Sequence, residues 1–136
     1  MPIKVFATAT YQDNDKDNSV ITSLDAILWF KDGKKAKLDC SFDVTIRHNA
    51  EIVGDKSAIR IDDFVMGTDK SEYTITNGLY ERIKKSVDGC TQECDLIDCF
   101  ANGIDNSWGI QTLKTQQVCD MLLKSAYEEK IIENLQ

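Results

Sequence analysis

Two stretches of the chain alternate between apolar and polar residues, and both lie in its first half. Over 3–11 the odd positions are apolar and the even ones polar apart from Phe6. Over 36–48 every odd position is polar and every even position is apolar until His48. A period of two residues is typical of a strand with one face toward a core and the other toward solvent. We therefore predict a strand at 3–11 and a long strand at 36–48, both in an antiparallel sheet.

The segment between these strands, residues 20–31, fits helical spacing as well as strand spacing. The Asp32-Gly33 pair that follows it favours a hairpin, because both residues suit turn geometry. A two-residue turn would place the apolar residues of the segment on the solvent-exposed face of the sheet. A three-residue loop with Gly33 in a left-handed conformation keeps them on the face toward the core. We predict this loop, with three cross-strand neighbours: Leu24 beside Cys40, Ala26 beside Leu38, and Leu28 beside Ala36.

Short turns that contain Gly, Asp and Ser precede two further strands, predicted at 58–61 and 72–75. Beyond them the spacing becomes helical, because Leu79, Ile83 and Val87 share one helical face. Asn, Thr and Ser residues stand where helix caps are expected. We predict three helices: 77–88, capped by Asn77 and ended by Gly89; 91–103, capped by Thr91 and closed by Gly103; and 107 to about 135, capped by Ser107.

The fold class predicted from these elements is α+β. A chain of 136 residues fits one domain, and no linker-like composition divides it. We expect a strand-rich segment 1–76 with an antiparallel sheet of about four to five strands. This sheet packs against two or three helices of a helix-rich segment 77–136, the last of them long.

The last predicted helix has an unusually wide apolar face around 118–127. Its apolar residues cover well over half of the helix circumference, whereas a surface helix needs a stripe of about a hundred degrees. One explanation is burial between the sheet and the other helices. The other is that one flank, with Leu123 and Tyr127, packs against another chain and makes a homo-oligomer.

A second candidate contact patch lies on the outer face of the sheet, where the hairpin register places Ile27 and Trp29. Exposed tryptophan is enriched at the energetic centres of protein interfaces. The alternative is that a loop or a helix covers these two side chains.

Charge and composition narrow the function classes. The formal net charge of −7 disfavours direct nucleic-acid binding, because phosphate backbones are repelled. The longest apolar run has five residues, which is too short to span a membrane. Five cysteines, an odd number, and the lack of a secretory signal indicate reduced thiols. We expect a cytoplasmic protein with no membrane contact.

The negative charge is concentrated in one segment. From Asp88 to Asp105 there is no basic residue and there are five carboxylates: Asp88, Glu93, Asp95, Asp98 and Asp105. Such a face can steer the protein toward a basic partner, including a nucleic-acid-binding surface that it would occupy in place of DNA or RNA. The alternative is that the acidic residues serve solubility alone.

Two clusters are weak candidates for metal sites. Asp13, Asp15 and Asp17 match positions one, three and five of a calcium loop. The twelfth position is Leu24 instead of the bidentate Glu, and the flanking segments are predicted strands. A solvated acidic loop explains this pattern better.

The second metal candidate is the thiol cluster Cys90, Cys94 and Cys99, which Cys119 or His48 could complete as a zinc site. The spacings miss the usual paired knuckles, so thiols within the core are the simpler interpretation. We predict no bound metal or cofactor.

Catalytic signatures are absent from the sequence. His48 is the single histidine, and the nucleophile-elbow, zinc-protease and dinucleotide-binding motifs do not occur. The leading hypothesis is therefore a small acidic protein-binding module, acting as an inhibitor, immunity-type protein, chaperone or adaptor. The alternative is a small enzyme or metal-binding protein that uses His48 and the Cys90, Cys94 and Cys99 cluster.

Overall fold

The computed structural model describes residues 1–65, 70–88, 92–103 and 107–134. Within these residues the fold is α+β, with two four-stranded antiparallel sheets and two α-helices. In chain order the elements are β1 (Lys4–Tyr11), β2 (Ile21–Trp29), β3 (Lys35–Ser41), β4 (Ala50–Val53), β5 (Ser57–Ile61), β6 (Lys70–Asn77), β7 (Glu81–Asp88), α1 (Gln92–Ala101), α2 (Ser107–Glu128) and β8 (Ile132–Glu133). Within these parts of the chain, no helix combines the length and the apolar character needed to cross a membrane.

The chain divides into two compact units. Unit 1 consists of Met1–Val44 and Asp105–Gln136, and unit 2 of Thr45–Ile104. Unit 1 contains a sheet in the order β3-β2-β1-β8, and unit 2 a sheet in the order β4-β5-β6-β7. Each strand of unit 2 pairs antiparallel with the next one along the chain, as in a meander.

The hairpin between β2 and β3 has the predicted register. Its cross-strand pairs are Leu24 with Cys40, Ala26 with Leu38, and Leu28 with Ala36. The loop is closed by two backbone hydrogen bonds, from Phe30 N to Lys34 O and from Gly33 N to Phe30 O, both 3.0 Å long. Gly33 has a φ of +81°, which a side chain would disfavour. The three-residue loop is therefore confirmed.

The core of unit 1 lies between one face of the sheet and α2. Seven buried apolar residues form it: Val5, Ala7, Leu24, Ala26, Leu28, Leu122 and Ala126. One polar side chain is buried among them, that of Ser125. Its hydroxyl accepts a hydrogen bond from Ala7 N at 3.0 Å and donates one to Lys130 O at 2.5 Å. Ser125 thus connects β1 to the residues that follow α2.

The predicted helix at 77–88 is wrong, because this segment forms the turn and second strand of the β6–β7 hairpin. Gly78 has a φ of +53° at the turn, and Leu79 and Tyr80 are exposed there. The spacing that suggested a helix is ambiguous. Ile83 and Val87 are four residues apart, so they share a face in a helix and equally in a strand.

Two other boundaries differ from the prediction. The long strand ends at Ser41 instead of His48, and its last contact with β2 is a hydrogen bond from Phe42 N to Thr22 O at 2.8 Å, one residue from the start of β2 at Ile21. The last helix ends at Glu128 instead of about 135. Glu129 takes a left-handed conformation, with a φ of +55°, and the chain then turns into β8 beside β1. The helix predicted at 91–103 is confirmed as α1, although its cap Thr91 lies outside the described residues.

Candidate functional site

The sheet face of unit 1 that points away from α2 carries the predicted contact residues Ile27 and Trp29. We call this surface the outer face. The strand register arranges it in four rows across β3, β2 and β1: Lys35–Trp29–Lys4, Lys37–Ile27–Phe6, Asp39–Asp25–Thr8, and Ser41–Ser23–Thr10. The register confirms the prediction that Ile27 and Trp29 share the sheet face opposite the core residues.

The outer face contains a shallow depression of about 430 Å³. Phe6, Ile27, Lys37, Asp25 and Asp39 are among the residues that line it. At the edge of the depression, the Nζ of Lys4 lies 5.4 Å from the centre of the Trp29 ring, a cation–π distance. The tryptophan and Ile27 side chains are half-buried among their neighbours. Lysines therefore occupy one end of the face, with Glu133 of β8 beside Lys4, and aspartates occupy the other.

The other predicted contact residues of unit 1, Leu123 and Tyr127, lie on the exposed flank of α2. Tyr127 has contacts within the unit, since its hydroxyl donates a hydrogen bond to Asp17 at 2.9 Å, and the Nζ of Lys16 lies 5.1 Å from its ring centre. The hydrogen bond to the Asp17 carboxylate raises the pKa of Tyr127. Lys16 also pairs with Glu129 at 3.0 Å. Tyr127 thus holds the acidic loop, residues 13–18, against the end of α2.

Unit 2 has an apolar sheet face that the sequence analysis did not identify. A row of four isoleucines crosses all four strands: Ile52, Ile59, Ile75 and Ile83. Ile61 and Tyr73 lie in the next row on the same side, between Ala50 of β4 and Lys85 of β7, and Val87 lies beyond this row. We call the four isoleucines together with Ile61, Tyr73 and Val87 the isoleucine face, which Lys85 interrupts between Ile83 and Val87. Its members are half-buried or exposed, with Ile52 70% exposed.

The signal for this face was partly present in the sequence. The turns that contain Gly, Asp and Ser predict two short strands, which hold Ile59, Ile61, Tyr73 and Ile75. The spacing of Ile83 predicts a helix, and nothing in the pattern predicts β4. Without the two outer strands, the isoleucines could not be seen to form one row.

The acidic segment is described only in part. Asp88 ends β7 and is exposed, and Asp98 is exposed on α1. Glu93 and Asp95 belong to the backbone of α1, but their side chains are outside the description, as is Asp105 altogether. The structure therefore places two of the five predicted acidic contact residues on the surface of unit 2.

The acidic loop organises its own backbone. The Asp15 carboxylate accepts hydrogen bonds from the backbone of Asp17 and Asn18, both at 3.1 Å, and from the Asn18 side chain at 3.2 Å. These bonds, with the Asn18 side chain first, lower the pKa of Asp15. Asp13 and Asp17 are exposed on the same loop. Across the described residues, no three metal-ligating side chains lie together, and this includes the three aspartates.

The thiol cluster and the single histidine are in separate places. Cys94 and Cys99 are exposed on α1, which differs from the expectation of thiols within a core, and Cys90 is outside the described residues. His48 lies in unit 2 beside Asp63, with Nδ1 3.7 Å from Oδ1. A carboxylate next to an imidazole can orient it, but the described part of the chain brings no third metal-ligating group to the pair.

Comparison with known proteins gives a likeness of fold alone. No protein-family description and no curated protein matches the chain. Among solved structures, the chain is similar to an aldose-aldose oxidoreductase from Caulobacter crescentus complexed with glycerol, with a TM-score of 0.73 and 19% sequence identity. The match covers 98% of this chain and 41% of that protein. The chain thus shares its arrangement of strands and helices with less than half of a larger enzyme.

Proposed function

We propose that this chain is a small acidic protein-binding module, of the inhibitor, immunity-type, chaperone or adaptor kind, and that it works in the cytoplasm. The observation that carries the proposal is the isoleucine face of unit 2. Soluble proteins rarely leave a contiguous apolar patch of this kind in water, and such patches mark interaction sites.

The isoleucine face has the composition and shape of an interface centre. The row of four isoleucines is flat, rigid and β-branched, so little side-chain entropy is lost when a partner covers it. Removing the exposed part of Ile52 from water contributes about 1–2 kcal/mol to binding. Ile61 and Tyr73 extend the apolar area along β5 and β6, as far as Lys85 on β7. A partner with a complementary apolar surface would therefore bind here.

A matched pair of substitutions on one strand tests the isoleucine face. Ile52 and Val53 are adjacent in β4 and are 70% and 71% exposed, but their side chains point to opposite faces of the sheet. Ile52→Glu should weaken binding of a co-purified partner by more than about 30-fold, whereas Val53→Glu should leave it nearly unchanged.

The measurement is capture from the native cell with the wild-type chain as bait, followed by the affinity of each purified variant for the partner identified. Equal loss in both variants, or loss in neither, would rule out the isoleucine face. A wild-type chain that captures nothing would contradict the whole proposal.

The acidic segment supports a basic partner within the same proposal. Asp88 and Asp98 are exposed, and a negative field accelerates encounter with a positive surface such as one that binds nucleic acid. Binding that disappears at high salt would support electrostatic capture by this segment. Binding that persists at high salt would indicate that the isoleucine face supplies most of the binding free energy.

The fold likeness favours a second candidate, a role in oxidoreductase chemistry on sugars. The similar structure is an aldose-aldose oxidoreductase, and this chain spans 41% of its length. The chain would then supply one part of a site that other polypeptide completes, with His48 beside Asp63 as its candidate acid–base group. Binding of an aldose by the chain, measured by calorimetry, weakened in His48→Ala and kept in Asp62→Asn, would support this candidate; no binding would count against it.

A further inference from the structure

The sheet of unit 2 has β7 at one edge and β4 at the other. β7 is the longer of these two strands, with eight residues against four, and every residue of it except Ile83 is exposed. Within the parts of the chain that the structure describes, no strand pairs with its outer side. Such an edge presents backbone N–H and C=O groups that a further strand can bind. β7 is therefore the place where unit 2 can best bind an extended segment.

The register shows which backbone groups of β7 point outward. Gly78 N donates a hydrogen bond to Lys56 O at 3.1 Å, so the even-numbered positions of β6 and its turn direct their backbone toward β5. The odd-numbered positions of β6 then point to β7, where their partners are also odd-numbered. The backbone groups of Arg82, Lys84 and Ser86 therefore face away from β6 and are open to a further strand.

The charged side chains of β7 follow a simple order. The interior is basic, with Arg82, Lys84 and Lys85, and the two ends are acidic, with Glu81 and Asp88. Basic residues on an exposed edge repel another edge of the same kind. A strand with carboxylates opposite the basic residues is attracted, because opposite charges that face each other across two strands stabilise the pair. The interior of β7 therefore selects an acidic segment.

Two of these three basic side chains are open to a partner. The Nζ of Lys84 is 2.6 Å from Oε2 of Glu72 on β6, so this lysine is already paired. Arg82 and Lys85 are exposed, and the structure gives neither of them an ion pair with a described residue. Their side chains point to opposite faces of the sheet, because they are an odd number of positions apart. A partner strand thus needs one carboxylate on each face.

We propose that the outer edge of β7 binds an extended acidic segment of a partner protein as a fifth strand, antiparallel to β7. The carboxylates of the segment face Arg82 and Lys85, and its apolar side chains lie beside Ile83 and Val87. Antiparallel pairing is slightly more stable per residue than parallel pairing. The inference rests on the proposed function, because the added strand widens the isoleucine face by one strand.

The alternation of side chains fixes the sequence pattern of the segment. Each of its residues lies directly opposite one residue of β7, and successive side chains point to opposite faces. The direction of the segment is antiparallel, so it is read from the residue opposite Val87 to the residue opposite Arg82. The matching pattern is then apolar, polar, acidic, polar, apolar, acidic.

A capped synthetic peptide with the sequence Val-Thr-Glu-Thr-Val-Glu follows this pattern and is the probe for the full chain. We expect a dissociation constant below about 1 mM by NMR titration. Amide hydrogen exchange should slow at Arg82, Lys84 and Ser86, whose N–H groups point outward, and change little at Ile83. The same peptide with lysine in place of both glutamates should bind at least about tenfold more weakly, because like charges then face each other.

Methylation of the peptide backbone tests whether the contact is a strand pairing. The two threonines lie opposite Ser86 and Lys84, so their N–H groups point toward β7. Methylation of both threonine nitrogens should abolish binding. Methylation of the central glutamate and of the second valine, whose N–H groups point away from β7, should leave binding nearly unchanged.

Charge reversal on the protein tests the acidic pattern. Arg82→Glu and Lys85→Glu should each weaken binding of the acidic peptide by about five- to tenfold. Lys56→Glu makes the same charge change on an exposed residue between β4 and β5 and should have little effect. The chain with both substitutions on β7 should bind the lysine peptide more tightly than the acidic one.

Three outcomes would overturn the inference: an acidic peptide that does not bind, equal binding of the acidic and lysine peptides, and binding that methylation of the threonines leaves intact. Ile52→Glu separates this result from the proposed function, because Ile52 lies on β4 at the opposite edge of the sheet. A chain whose partner binding depends on Ile52 but which does not bind the peptide keeps the proposed function and loses the β7 site. A chain that binds the peptide as expected but captures no partner keeps the β7 site and contradicts the proposed function.

Discussion

Units 1 and 2 each contain a four-stranded antiparallel sheet, but the side chains that the structure describes are buried to different extents in the two. In unit 1, α2 packs on the sheet and buries seven apolar residues. In unit 2, none of the side chains whose burial the structure describes is buried, although the isoleucine face consists mainly of isoleucines. A sheet is stabilised by what covers it, so unit 2 needs a cover that its own described residues do not supply.

The largest expected effect is in the core of unit 1. Leu122 is 7% exposed and its neighbour Leu123 is 48% exposed on the same helix. Leu122→Ala leaves a cavity against the sheet and should lower the free energy of unfolding by about 3 kcal/mol, whereas Leu123→Ala should lower it by less than ~1 kcal/mol. Urea denaturation of both variants measures the difference. Equal effects would mean that α2 does not pack on the sheet as described.

The second-largest effect is expected at the buried Ser125 hydroxyl of unit 1. Ser125→Ala leaves Ala7 N without its hydrogen-bond partner in the core and should cost about 2 kcal/mol of stability. Thr115→Ala on the exposed part of α2 also removes a hydroxyl that bonds to a helix carbonyl, at Gln111 O, and serves as the control. Its effect on the denaturation midpoint should be small. A neutral Ser125→Ala would show that another acceptor or a water takes the hydrogen bond from Ala7 N.

In unit 2, truncation of a comparable apolar residue should change the free energy of unfolding little in the absence of a partner. Ile59 is at the centre of the isoleucine face and is 38% exposed. Ile59→Ala should lower the stability of the isolated chain by less than about 1.5 kcal/mol, because little apolar contact is lost. With a partner bound, the same substitution should lower the apparent stability further by mass action. A large loss of stability in the isolated chain would contradict the exposure of the isoleucine face.

The smallest effect concerns the acidic loop of unit 1. Tyr127→Phe removes the hydrogen bond to Asp17, so amide hydrogen exchange in residues 15–19 should accelerate while the core stays protected. The pKa of Tyr127 is raised in the folded chain, so its stabilising contribution is complete below pH 10, the ordinary tyrosine value, and is lost as the pH rises through the folded value. Ultraviolet titration should show a late tyrosine ionisation in the wild type that Tyr127→Phe removes. Unchanged exchange would mean that Lys16 alone holds the loop.

Much of unit 1 could be predicted from the sequence because its signals are local. The alternation at 3–11, the Asp32-Gly33 turn and the width of the last helix each depend on neighbouring residues. The register of one hairpin then placed Ile27 and Trp29 on the outer face. The four-residue spacing of Ile83 and Val87 fits both a helix and a strand. The helix predicted from it is wrong, because the signal is local and does not distinguish the two.

By itself, the sequence determined the fold class, the hairpin register and the acidic character of the chain. These properties depend on period, turn chemistry and charge count, which are read within a few residues. Only the tertiary structure decided which apolar positions would be covered and which left open. Ile52, Ile59, Ile75 and Ile83 are spread over 32 residues of chain, and only the pairing of four strands brings them into one row. Contacts between distant segments depend on register and topology, and these have no local signature.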